Sequence, residues 1–216
     1  MKREILIAGI GHTIIKMDDG TWLPSATYQE ILPRKDPGEK IKRTHIHKPN
    51  LTPDMPTAYL GGGQNVVQAM QIASYKYLYD IAFIGGRPAS MDTAFGAEVE
   101  NITEASVMAQ YFGGKVSHII GGTKTTEDDI NELVRLAENY SGTTLVAMGF
   151  RLVRCRLLLH DYMKKNPDNA RIAGRISLVD AEQFLPGKFD EFVEMNQSPA
   201  YKLTMSQERF GVIRLL

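Results

Sequence analysis

The chain has 216 residues, 43% of them hydrophobic, which suits one α/β domain spanning 1–216 and requires no second core. Twenty-five basic residues balance twenty-five acidic ones, so no global field recruits nucleic acid or an anionic membrane surface, and binding has to come from a local site. A single cysteine, Cys155, excludes an internal disulfide framework and fits a reducing, cytoplasmic compartment, while no run approaches the ~18 apolar residues of a membrane span.

The amino-terminal Met1-Lys2-Arg3-Glu4 runs directly into an apolar strand pattern, Ile5-Leu6-Ile7-Ala8-Gly9. Gly9-Ile10-Gly11 opens like a dinucleotide fingerprint, but Ile14 stands at the third glycine position and a hairpin composition follows, so that motif is set aside. Ile14-Ile15-Lys16-Met17 and Thr21-Trp22-Leu23 flank Asp18-Asp19-Gly20, which is the turn chemistry of a β-hairpin. From Pro24 to Pro56 the chain carries six prolines and little periodicity, so it reads as a long flap. Within it Arg34, Lys35, Lys40, Lys42, Arg43 and Lys48 outnumber Asp36 and Glu39; the segment is either a solvated loop or a lid that grips phosphate. His45 and His47 lie in the same stretch without a completed ligand shell and are read as surface residues, so no metal site is expected.

From Thr57 onward strand patterns alternate with helical stretches of about 12 to 16 residues, the signature of βαβ units over a parallel sheet. The apolar runs Tyr59–Gly63, Ala82–Gly86, His118–Gly122 and Leu145–Gly149 each end in glycine, as does the first strand. Buried parallel strands bring their carboxyl ends to one edge, and glycine there lets a ligand approach main-chain N–H groups. Helices are expected over 64–78, 101–112, 126–140 and 150–165, a further strand over 176–179, and helical pieces near 188–195 and 198–210 in a C-terminal tail, 181–216. Asn101 with Glu104, and Thr126 with Asp129, have capping-box spacing, and Gly113-Gly114 reads as a C-cap.

Several side chains at these glycine turns carry chemistry. Arg151 and Arg154 open the helix whose apolar stripe is Leu152, Cys155, Leu159, Tyr162 and Met163. A cation there opposes the helix dipole at about 0.3–1 kcal/mol each, so an anion is expected beside it, either a ligand or a carboxylate of the chain. Gly121-Gly122-Thr123-Lys124-Thr125-Thr126 joins a strand to a helix with hydroxyls and a lysine, a cradle for phosphate or sugar but not a Walker loop; Thr123, Lys124, Thr126 and Asp128 are its candidate residues. Gly61, Gly62 and Gly63 lead to the amides of Gln64 and Asn65, and Gly85 and Gly86 lead to Arg87. Glu104 is either a general base or hydroxyl acceptor, or a capping residue, and Cys155 is read as packing.

Tyr59 to Val179, a little over half the chain, resembles the YdcF/SanA/ElyC-like family. The resemblance rests on Leu60-Gly61, Gly85-Gly86, Glu104-Ala105, the Thr123, Thr126, Asp128, Asp129 series and Arg154, in that order. Asp128-Asp129 stands where the family has Glu-Asn, Arg151 where a histidine is frequent, and Gln64-Asn65 where the first helix usually has arginine. Many relatives are membrane-anchored, and this chain shows no such anchor. The resemblance implies a three-layer, mainly parallel Rossmann-like sheet, here with an N-terminal hairpin and proline-rich flap. It also implies a pocket for a phosphate-bearing or nucleotide-like molecule, with S-adenosylmethionine one such compound. The functional expectation is therefore binding of that class of molecule at the carboxyl edge, with hydrolase or transferase activity. The alternative is a non-catalytic nucleotide-sequestering or sensing module. Oligomeric state stays open, a homo-oligomer included.

Overall fold

A computed structural model describes residues 3–12, 14–17, 19–26, 28–30, 58–75, 79–87, 101–198, 201, 202 and 205. In chain order the elements are β1 (Arg3–Ile10), β2 (Ile14–Lys16), β3 (Trp22–Pro24), β4 (Tyr28–Glu30), β5 (Ala58–Leu60) and α1 (Gly63–Ser74). There follow β6 (Asp80–Ile84), α2 (Glu104–Phe112), β7 (His118–Ile120), α3 (Thr126–Ala137) and β8 (Tyr140–Ala147). The chain continues through α4 (Gly149–Lys165), α5 (Ala170–Ala173), β9 (Ile176–Asp180) and α6 (Phe189–Gln197).

Five strands form one sheet in the order β7-β6-β1-β8-β9, every neighbouring pair parallel. Taken in chain order these strands run 3-2-1-4-5, so the direction of winding reverses between β1 and β8; in open α/β sheets that reversal leaves a crevice at the carboxyl ends. Successive side chains of β1 point to opposite faces: Leu6, Ala8 and Ile10 enter one core and Ile7 the other. The first face is covered by α3 and α4 through Ile130, Leu133, Val134, Cys155, Leu158 and Leu159. The second is covered by α1, α2 and α6 through Val66, Val67, Met70, Ala105, Met108 and Phe192. Three layers result, helices either side of a parallel sheet, with the Cys155 thiol fully buried in the packing between α4 and the sheet. Phe83, wholly buried and edge-on to Phe112 at 5.8 Å, gains about 1.5–3 kcal/mol from burial and about 0.5–1.5 kcal/mol more from ring geometry.

The hairpin forms as β2 against β3, its turn closed by Asp19 Oδ1, which accepts from the Thr21 amide and hydroxyl at 2.9 and 2.6 Å. The Tyr59–Gly63 run differs from the expected buried parallel strand. Its residues 58–60 pair antiparallel with β4 in a separate two-stranded sheet, because β1 already fills the place between β6 and β8. Ile119 is 55% exposed rather than buried on both sides, since β7 is an edge strand.

Helix boundaries shift for identifiable reasons. The α2 helix begins at Glu104, not 101, because Thr103 is its N-cap and shares a capping box with Ser106 rather than Asn101 with Glu104. For α3 the cap is Thr125 with Asp128, one residue before the Thr126–Asp129 spacing, and the helix stops at Ala137 so that β8 can start at Tyr140. Gly113 ends α2 in the left-handed conformation, φ 68°, as its position suggested. The greater part of the proline-rich flap, residues 31–57 with His45 and His47, lies outside the described residues, as do 76–78 and most of 198–210. Among the described residues no helix is long and apolar enough to cross a membrane.

Candidate functional site

The carboxyl edge of the sheet is crowded by backbone. After β1, the Gly11 amide donates to the Ile84 carbonyl, and a Cβ on Gly11 would run into Glu104 Oε2 and the Gly85 backbone. After β6, a Cβ on Gly86 would overlap the Thr123 carbonyl. The amides of Glu104 and Ala105 donate to the carbonyls of Gly86 and Gly85, each at 3.0 Å, which fastens the start of α2 to the end of β6. Glycines here let three strand ends and a helix start approach one another to backbone distance.

Next to this junction a cavity of about 280 Å³ opens between the first turns of α3 and α4. It is lined by Gly86, Glu104, Thr123, Lys124, Thr125, Thr126, Asp129, Arg151 and Arg154. Arg151 spans the β1–β8 crevice, where its Nη1 donates to the Gly11 carbonyl. Arg154, half-buried one turn further along α4, lines the cavity too.

Two carboxyls face these cations from buried positions, Glu104 at 9% and Asp129 at 6% exposure. Burial pushes the Glu104 carboxyl up to about 7; the Arg151 guanidinium works against that rise, and Asp129 adds to it. Burial likewise raises Asp129 to about 6, opposed by the nearby Thr123 hydroxyl, by Arg151 and by Arg154, with Asp128 pushing it further up. The Thr123 hydroxyl lies close enough to polarise this carboxyl. Even so, Thr123 Oγ1 and Asp129 Oδ1, both buried, reach hydrogen-bond geometry with no partner among the described residues. Leaving a buried polar atom in that condition costs about 1–3 kcal/mol, which a ligand or water in the cavity relieves.

Asp128 has a different task. Its Oδ2 accepts from the amides of Lys124 and Thr125, both at 3.0 Å, and those bonds hold its carboxyl below the usual range. It faces a neighbouring groove of about 480 Å³ together with Gly122, Asn131, Glu132 and Arg135; Thr123 borders both spaces. The dipole problem at α4 also has an internal solution. Asp180, the last residue of β9, and Glu182 just after it lie against Gly149, so two partly buried carboxyls stand at the helix start that carries Arg151. Burial raises both; the Glu182 amide, donating to Asp180 Oδ1 at 3.0 Å, holds Asp180 back, and Asp180 pushes Glu182 further up.

Of the candidates expected from sequence, the cavity brings together Gly86, Glu104, Thr123, Lys124, Thr126, Arg151 and Arg154. Gly85 serves behind it as a spacer against Gly11. Arg87 is half-buried just after Gly86 and is not among the lining residues. Gly61, Gly62 and Gly63 are packed elsewhere, under residues 24–26: the amides of Gly62 and Gln64 donate to the carbonyls of Ala26 and Ser25 at 2.7 and 3.0 Å. The side chains at this turn are engaged as well. Gln64 Nε2 donates to the Pro24 carbonyl at 2.9 Å, and Asn65 Oδ1 accepts from Lys188 Nζ at 2.8 Å. Asp129, Thr125 and Gly11 were not singled out for this site. The signal for Asp129 was its place one residue after Asp128, about 100° further round the helix and so turned inward; for Gly11 it was the Gly9-Ile10-Gly11 turn itself.

Among the described residues no group of three or more His, Cys, Asp or Glu side chains is arranged to hold a metal ion. No family model, curated protein or solved structure matches the chain.

Proposed function

We propose that the cavity at the carboxyl edge binds a nucleotide-like or phosphorylated small molecule, and that the protein is a hydrolase or group transferase acting on it. The observation that carries this reading is the convergence of Arg151, Arg154 and Lys124 with the buried Thr123 hydroxyl on one cavity beside the start of α3. Arginine presents a planar fork to phosphate oxygens, and the first amides of a helix have no intrahelical acceptor and attract an anion. The two carboxyls do not cancel this field at neutral pH, because a Glu104 titrating at about 7 is about half protonated there. The same feature favours an enzyme over a passive binder, since a buried carboxyl that titrates near neutrality suits proton transfer.

We read the chain as similar to the YdcF/SanA/ElyC-like family, and two of its departures from that pattern, Asp129 and Arg151, are electrostatic partners in the cavity. S-adenosylmethionine is a reasonable second probe, its carboxylate matched to Arg154 and its sulfonium to the carboxyls. A cytoplasmic setting fits a lone cysteine that stays a buried thiol. Native mass spectrometry of freshly purified protein tests the reading: a retained phosphate-bearing or adenosyl species that disappears in Arg154→Ala supports it. An Arg154→Ala protein that retains the same species as the parent contradicts it.

A further inference from the structure

Resting on that reading, we propose that the cavity hydrolyses a small phosphate monoester, with Glu104 as the acid that protonates the leaving oxygen and Asp129 as the base that activates water. Four observations lead there. First, Glu104 and Asp129 belong to helices on opposite faces of the sheet, α2 and α3, and both line the one cavity. Displacement at phosphorus needs the attacking and leaving oxygens roughly in line on opposite sides, which is how an acid and a base must be disposed.

Second, two carboxylates beside a phosphate would repel it, whereas a protonated carboxyl donates a hydrogen bond to the ester oxygen. Burial raises both carboxyls, and Glu104 keeps its proton to higher pH than Asp129, whose rise is opposed by the Thr123 hydroxyl and the two arginines. Third, Thr123 Oγ1 and Asp129 Oδ1 are buried in the cavity wall with hydrogen-bonding capacity to spare, which a phosphoryl oxygen and a water molecule fill. Fourth, about 280 Å³ is small for a dinucleotide and large enough for a phosphoryl group with a sugar-sized remainder.

The step is redox-neutral and consumes water alone. Water oxygen bonds to phosphorus while its proton passes to the Asp129 carboxylate. The bond from phosphorus to the ester oxygen breaks, and its electron pair stays on that oxygen, which takes the Glu104 proton. Alcohol and inorganic phosphate leave, and the proton on Asp129 returns to Glu104 through solvent. Arg151 and Arg154 hold the equatorial oxygens throughout.

The test uses phenyl phosphate, a poor leaving group, and 4-nitrophenyl phosphate, which departs without a proton, with inorganic phosphate binding measured by calorimetry in parallel. Glu104→Gln should slow phenyl phosphate hydrolysis by about 10²-fold or more and 4-nitrophenyl phosphate far less. Asp129→Asn should slow both alike, and both isosteric variants should still bind phosphate. The groups facing this pair are Arg151, Arg154, Lys124 and Asp128, of which none but Asp128 is acidic. For the parent, kcat/KM should therefore peak between about 6 and about 7, rising as Asp129 ionises and falling as Glu104 does. A parent protein that binds phosphate but cleaves neither ester overturns the hydrolytic proposal and leaves the binding reading standing. A Glu104→Gln defect equal for both esters overturns the assignment of Glu104 as the acid. Failure of the parent to bind phosphate at all overturns the binding reading itself.

Discussion

Glu104 is placed where folding costs it its water. Its carboxyl lies against the Gly11 backbone, and its folded pKa of about 7 stands above the ordinary 4.5, so the folded protein binds that proton more tightly than the unfolded chain. The sign follows: this contribution to stability is complete below about pH 4.5 and is lost as pH rises through about 7. Asp129 behaves alike between 3.8 and about 6. Urea denaturation should show the parent losing roughly 3 kcal/mol from Glu104 between pH 4 and pH 8, at about 1.36 kcal/mol per pKa unit. Glu104→Gln should remove that part of the slope and be the more stable protein at pH 8. An unchanged slope in the variant would mean that the carboxyl is solvated. Why Asp128 and not Asp129 stood out in the sequence has a simple cause: adjacent carboxylates in one helical turn look equivalent in a string. They separate when 100° of rotation puts one on the capping box and the other in the cavity wall.

Among the elements, the loop between β7 and α3 has two jobs, starting a helix and lining the cavity, and different threonines do them. Thr125 accepts from the Asp128 amide at 3.2 Å and caps α3; Thr123 is turned inward and Thr126 lines the cavity from the first helical position. Thr125→Ala should cost about 1 kcal/mol in chemical denaturation, whereas Thr126→Ala should cost little, its hydroxyl not being the cap. The reverse ranking would restore the Thr126–Asp129 box read from spacing. The strand runs of the sheet and the four long helices were legible because each shows one clear hydrophobic period. Local pattern fails where tertiary partners decide: residues 58–60 read as a core strand until the ladder between β6 and β8 is seen to be filled by β1. The amides at Gln64 and Asn65 read as ligand donors until Pro24, Tyr111 and Lys188 are found against them.

Across the whole molecule the two ends of the sheet are divided between chemistry and cohesion. At the amino edge, Tyr140 at the start of β8 donates to Asp80 Oδ2 at 2.9 Å and meets His118 Nε2 at 2.8 Å, while Ser117 donates to Asp80 Oδ1 at 2.7 Å. This network ties β6, β7 and β8 together around β1. Tyr140→Phe should lower stability by about 1–3 kcal/mol in thermal or urea unfolding without altering anion affinity, because the hydroxyl lies at the opposite edge from the cavity. A variant that loses anion binding while keeping its stability would contradict that division. At the carboxyl edge the expectation that glycines from separate strands gather in one place holds for the turns after β1, β6 and β7, whereas Gly149 after β8 packs on Asp180 and Glu182. What the string could not carry is depth: burial of Glu104, Thr123 and Asp129 depends on helices from both faces closing over the strand ends.

The most direct measurement is a crystal of the protein soaked in tungstate near pH 6, where Glu104 is largely protonated, with the anion located by its anomalous scattering. The account predicts a peak within hydrogen-bond reach of Thr123 and Arg154, between Glu104 and Asp129. An unoccupied cavity at saturating tungstate, or an anion seated only elsewhere on the protein, would contradict it.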